Sequence, residues 1–145
     1  MRTIKNRTFA VCLAFVLVIG LFSFPASANT YASDYIISYS TGLSQGTSNG
    51  QLKLSYSIIG TGIMDTIGIS KIVVYKSDGT RYRTIYGTVS NGFLEQNTFE
   101  ASDIYSFTVA TGYSYYCRVT YYAAKNGGSD TRTVQTRTVS APVIP

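Results

Sequence analysis

The chain has 145 residues, a formal charge of +5 from 12 basic and 7 acidic side chains, 13 tyrosines and no histidine. Without histidine it lacks the commonest general base, the usual activator of a serine or cysteine nucleophile and the commonest metal ligand. Ser-His-Asp and Cys-His mechanisms are thereby closed to a single copy, and a zinc site would have to be built from carboxylates and one thiol. No phosphate-cradling glycine motif joins a strand to a helix.

The first element is an address. Arg2, Lys5 and Arg7 form a positive head, residues 9–24 are almost wholly apolar, Pro25 ends the run, and Ala26-Ser27-Ala28 supplies small residues for a signal peptidase. As a helix the apolar run measures roughly 24 Å, short of a hydrocarbon core of about 30 Å. The pattern predicts a secretory signal over 1–28, cleaved after Ala28. No cysteine follows the cut to carry a lipid, and the tail from Ser140 to Pro145 has no hydrophobic anchor. The expected fate is secretion or loose retention at the cell surface, with no membrane contact after cleavage. Three basic residues leave with the leader, so residues 29–145 are close to neutral, which gives little support for nucleic-acid binding.

Residues 29–145 suit one domain. Strands are predicted over 34–39, 51–59, 69–76, 81–88, 104–109, 113–124 and 131–139, with loops over 42–50 and 60–68 and turns at 77–80 and 125–128. In the second strand Leu52, Leu54, Tyr56 and Ile58 alternate with Lys53, Ser55 and Ser57. In the third, Ile72 and Val74 are assigned inward, with Lys71, Val73 and Tyr75 outward. Residues 90–102 have no clear period; Phe93, Leu94 and Phe99 call for burial while Asn91-Gly92 and Asn97 interrupt any strand. The strand after Gly112 places Tyr115, Cys117, Val119, Tyr121 and Ala123 on one face and Tyr116, Arg118, Thr120 and Tyr122 on the other. Seven or so short strands without a helix predict an all-β, two-sheet antiparallel β-sandwich. Cys12 lies in the leader, so Cys117 can form no internal disulfide; it reads as a small buried hydrophobe, with a reactive thiol or a covalent dimer as the functional alternative.

Leu52 to Tyr56 resembles the second strand of fibronectin type III domains, with Tyr56 where that family usually carries tryptophan. Val109 to Tyr115 resembles the corner between that family's fifth and sixth strands, Thr111 standing in the usual proline place, and Asn126-Gly127-Gly128-Ser129 resembles its last hairpin. An immunoglobulin-like sandwich fits the same pattern. The resemblance implies that Tyr115 is a corner tyrosine bonded back to the backbone and that Tyr56, Cys117 and Val119 are structural. The chain is also similar to small exported proteins of Gram-positive bacteria in Gly60 to Gly68, the turn from Tyr75 to Gly79, and Gly127-Gly128-Ser129-Asp130. That likeness implies export and fold and assigns no activity.

Two acids at a suitable distance are enough for glycoside hydrolysis, and Glu95, Glu100 and Asp103 lie nearest one another in sequence. Their spacing does not exceed that of a solvated surface. Asp65, or Asp130 with Asn126, could offer oxygen ligands to calcium, although neither loop has the acid density of a calcium site. No cofactor is expected. The tyrosines carry the functional expectation. Tyr116, Arg118 and Tyr122 share the outer side of one strand, and Tyr75 and Tyr82 are expected beside them, a face suited to an extracellular protein or glycan. The alternatives are self-assembly through edge strands, the threonine-rich last strand (Thr131, Thr133, Thr136, Thr138) included, and an acid-only hydrolase.

Overall fold

Alternation with period two produces strands and no helix among the described residues. A computed structural model describes residues 33–145; the predicted leader and its cleavage point lie outside them. Ala32–Pro145 form one compact unit. The strands are β1 (Ile36–Gln45), β2 (Gln51–Met64), β3 (Thr66–Lys76), β4 (Arg81–Tyr86), β5 (Leu94–Glu95), β6 (Thr98–Thr108), β7 (Ser114–Lys125), β8 (Gly128–Gln135) and β9 (Val139–Ser140). Seven are substantial, as expected, and β5 and β9 are two-residue pairings.

The strands form two antiparallel sheets packed face to face, a β-sandwich. The smaller runs β1-β2-β6; the larger runs β4-β3-β7-β8, with β5 paired to β3 and β9 to β7. Leu52, Leu54, Tyr56 and Ile58 line the inner side of β2. Ile67, Ile69, Ile72 and Val74 of β3 meet them from the larger sheet, with Tyr115, Cys117, Val119, Tyr121 and Ala123 of β7. Burying each large side chain contributes about 1.5–3 kcal/mol. Tyr121 ties the two layers: its ring lies 5.3 Å from that of Tyr39 on β1, and its hydroxyl donates to the Ser40 carbonyl. Tyr115 is wholly buried and donates to the Ala110 carbonyl at 2.9 Å, closing the corner before β7.

Several sequence expectations require correction. Residues 60–68 do not form a loop. β2 runs on to Met64, and a single residue, Asp65, separates it from β3, so the chain passes from one sheet to the other with an irregularity between Ile59 and Met64 absorbing the turn. The glycines at 60, 62 and 68 suggested a loop but serve this crossing. β1 begins later than expected and extends to Gln45, leaving only residues 46–50 as connection. The unclear stretch divides into β5 and an eleven-residue β6, and Phe99, expected inside, is 51% exposed. The last predicted strand is two: Thr136 leaves β8, and its hydroxyl accepts from the Cys117 amide at 2.9 Å.

Gly68 and Gly87 make one crowded edge possible. Gly68 has φ 144°, and a Cβ there would stand 2.1 Å from the Phe93 carbonyl oxygen; at Gly87 a Cβ would stand 1.7 Å from that of Ile69. Without side chains they let β4 leave the edge of β3 at residue 87 and β5 replace it at residue 94.

Candidate functional site

Successive side chains of a strand point to opposite sides of its sheet, so burying Cys117, Val119 and Tyr121 turns their neighbours to solvent. The outer side of β7 carries Tyr116, Arg118, Thr120 and Tyr122. Across β3 the register sets Tyr75, Val73, Lys71 and Gly68 against them. β4 sets Arg81, Thr84 and Tyr86 against Tyr75, Val73 and Lys71. β8 sets Gln135, Thr133 and Thr131 against Arg118, Thr120 and Tyr122. None of these positions is a carboxylate.

The centre of the face is ordered. The Tyr75 and Tyr116 rings stack at 5.2 Å with 13° between their planes. The Arg118 guanidinium carbon lies 5.3 Å from the Tyr75 ring centroid, and Arg118 Nε donates to Gln135 Oε1 at 3.2 Å. A cation held between a ring and an amide oxygen has already lost much of its rotamer freedom, which lowers the entropy cost of binding. Sheet side chains stand roughly perpendicular to the sheet, so rings stacked across two strands face each other and turn their edges and hydroxyls to solvent. Thr120 and Thr133 share a hydroxyl contact at 3.1 Å one row further on. Tyr86, which the sequence did not single out, is 68% exposed.

Of the residues expected on this face, Tyr75, Tyr116 and Arg118 come together, and Tyr122 lies on the same side of β7, opposite Gly68. Tyr82 does not join them. An irregularity between Val74 and Tyr75 displaces it, and its ring meets the buried Tyr115 edge-on at 5.3 Å. Lys71, Arg81 and Gln135 were absent from the expected set. The outward period of β3 does place Lys71 with Tyr75, but only the non-local pairing brings β4 and β8 alongside.

The residues assigned to structure are inside. Tyr115, Cys117 and Val119 are fully buried and Tyr56 nearly so. Burial pushes the Cys117 thiol up to about 12, far from the thiolate that a reactive cysteine needs near neutrality. The Tyr56 phenol is also pushed up to about 12, first by burial and then by the charges of Asp103 and Glu95. Asp103 pairs with the inward Tyr56 and Glu100 with the outward side of β2 at Ile59, so these two acids of the expected trio point to opposite faces of β6. Asp65 accepts from the Asn126 amide at 2.8 Å; Asp130 pairs with Arg132 at 2.5 Å and also accepts from Ser33. Both carboxylates are thus engaged by protein donors, and no group of three or more possible metal ligands assembles among the described residues. No helix among them is long and apolar enough to cross a membrane. Comparison with protein-family models, with curated proteins and with solved structures finds no match for this chain.

Proposed function

We propose that the protein is a secreted, non-catalytic binding or adhesion module that meets its extracellular partner through the outer face of the larger sheet. The observation that carries this is the solvent-side cluster of Tyr75, Tyr116 and Arg118, held together by ring stacking and a cation–ring contact. The leader sequence supports export. A fibronectin type III-like or immunoglobulin-like identity is supported by the division of strands, with the first, second and sixth in one sheet and the third, seventh and eighth in the other, and by the bond from Tyr115 to Ala110.

The open edges argue against self-assembly. β4 carries Arg81 and Arg83, β6 carries Glu100 and Asp103, and β8 carries Asp130 and Arg132, all charges that discourage strand addition. The C-terminal segment covers the end of β1: Arg137 donates to the Leu43 carbonyl at 3.1 Å and Gln45 to that of Ser140 at 2.9 Å.

Retention of the purified protein on cell walls, extracellular glycans and secreted proteins tests the proposal. Wild type is expected to be retained and the Tyr116→Ala/Tyr122→Ala double variant to be lost to the flow-through. Equal retention of both folded proteins would remove the sheet face from the account.

A further inference from the structure

Resting on that binding face, we infer that its ligand is an anionic polysaccharide laid across β4, β3 and β7, its carboxylate or phosphate groups on Lys71, Arg81 and Arg118. Charge gives the first reason. These three cations share a face whose outward register positions include no acid. The one ion pair among the described residues, Arg132 with Asp130, uses none of them. The nearest acids in sequence lie beyond the ends of the face: Asp78 accepts from the Thr80 amide at 2.7 Å in the β3–β4 turn, and Asp65 accepts from the Asn126 amide. Three like charges without a counter-charge repel one another, and a polyanion removes that cost while gaining attraction.

Hydrogen-bonding chemistry gives the second. With its rings stacked on each other, the face offers phenol and threonine hydroxyls, an ammonium and two guanidinium groups. The hydroxyls both donate and accept, as sugar hydroxyls do, while the ammonium and guanidinium groups only donate. Sugars carrying anions match both kinds of group. A protein partner would seek an apolar centre, and beside the stacked tyrosines and Arg118 the one branched aliphatic side chain is Val73, Leu94 lying at the far end of the face opposite Gly68.

Spacing gives the third. Strands lie about 4.8 Å apart and alternate residues along a strand about 6.7 Å, so Lys71 and Arg118 are roughly 8 Å apart and Lys71 and Arg81 roughly 14 Å apart at their Cα atoms. Cations set out over three strands in this way suit a chain of repeated anions.

The test measures binding of the full mature protein to polygalacturonate, phosphomannan, neutral dextran and duplex DNA across a salt series. The two charged glycans are expected to bind, and their relative strength tells whether carboxylate or phosphate is preferred. Affinity should fall with salt at a logarithmic slope of about −2 for three contacts. The Lys71→Gln/Arg81→Gln/Arg118→Gln variant should lose at least about tenfold, and Lys53→Gln on the opposite face should match wild type. Equal binding of neutral dextran, binding of DNA as tight as that of the glycans, or an undiminished triple variant would each overturn the anionic-glycan assignment. If wild type binds neither charged glycan yet its retention on extracellular material still depends on Tyr116 and Tyr122, the ligand class falls and the binding face stands. If that dependence is absent too, both fall.

Discussion

The two outer faces of the sandwich follow the same alternation and carry different chemistry. On the smaller sheet the solvent-side register positions include Ser38, Ser40 and Ser44 of β1, Ser55, Ser57 and Ile59 of β2, and Ser102, Ile104 and Ser106 of β6, with one cation, Lys53, and one acid, Glu100. On the larger sheet the equivalent positions are mainly tyrosines and threonines with three cations and no acid, besides Gly68, Val73, Leu94 and Gln135. The serine face carries aliphatic side chains but no aromatic ring and a single cation. The stacked tyrosines and three cations of the other face are therefore not a general requirement of a packed sheet, and they mark it as the face with an additional demand.

The largest expected effect tests whether the faces are two sides of one core. Tyr121→Ala removes a fully buried ring that spans to Tyr39 and should cost about 3–5 kcal/mol in urea denaturation. A cost below about 1 kcal/mol would mean that the sheets do not share it.

Alkaline pH probes the inner side of the tyrosine face. Burial raises the Cys117 thiol from 9.0 and the Tyr121 phenol from 10.0, each to about 12. Both are neutral when protonated, so the unfolded chain ionises first. Stability should be full below about pH 9 and decline as pH climbs toward 12, each group contributing a slope of about 1.4 kcal/mol per pH unit while ionised only in the unfolded chain. Denaturation of Cys117→Ala across that window should show a shallower decline; an unchanged slope would contradict the thiol's raised pKa.

Two glycines give a matched contrast. Gly68→Ala on the tyrosine face forces a Cβ against the Phe93 carbonyl at φ 144° and should cost about 1–3 kcal/mol. Gly42→Ala on the serine face meets only the movable Ser55 hydroxyl, at 3.0 Å, and should stay within about 0.5 kcal/mol in the same melts. Equal costs would mean that the edge of β3 is less crowded than described.

The smallest effect separates the surfaces themselves. Tyr116→Ala gives up the stack on Tyr75 and should cost about 0.5–1.5 kcal/mol, whereas Ser57→Ala should cost no more than about 0.5 kcal/mol. Matching values would mean that the stack adds nothing to stability.

Much of the sandwich was legible because apolar alternation is a local signal: the inner residues of β2, β3 and β7 follow directly from it. The crossing at Asp65 was not, because glycines that usually mark loops here accompany a strand changing sheets. Phe99 misled because it shares the inner side of β6 with Ala101 but lies near the end of an edge strand, where it remains 51% exposed. The face was half legible. Tyr116, Arg118 and Tyr122 share one strand, but Lys71, Arg81 and Gln135 reach it through pairings between distant parts of the chain, and Tyr82 left it through an irregularity that no spacing announces.

Amide chemical-shift mapping of the folded protein titrated with polygalacturonate oligomers tests the central claim most directly. The account predicts shifts concentrated at Lys71, Val73, Tyr75, Tyr116 and Arg118, with Ser55, Ser57 and Ser102 unmoved. Shifts confined to the serine face or to the end loops, or no shifts at saturating oligomer, would contradict it.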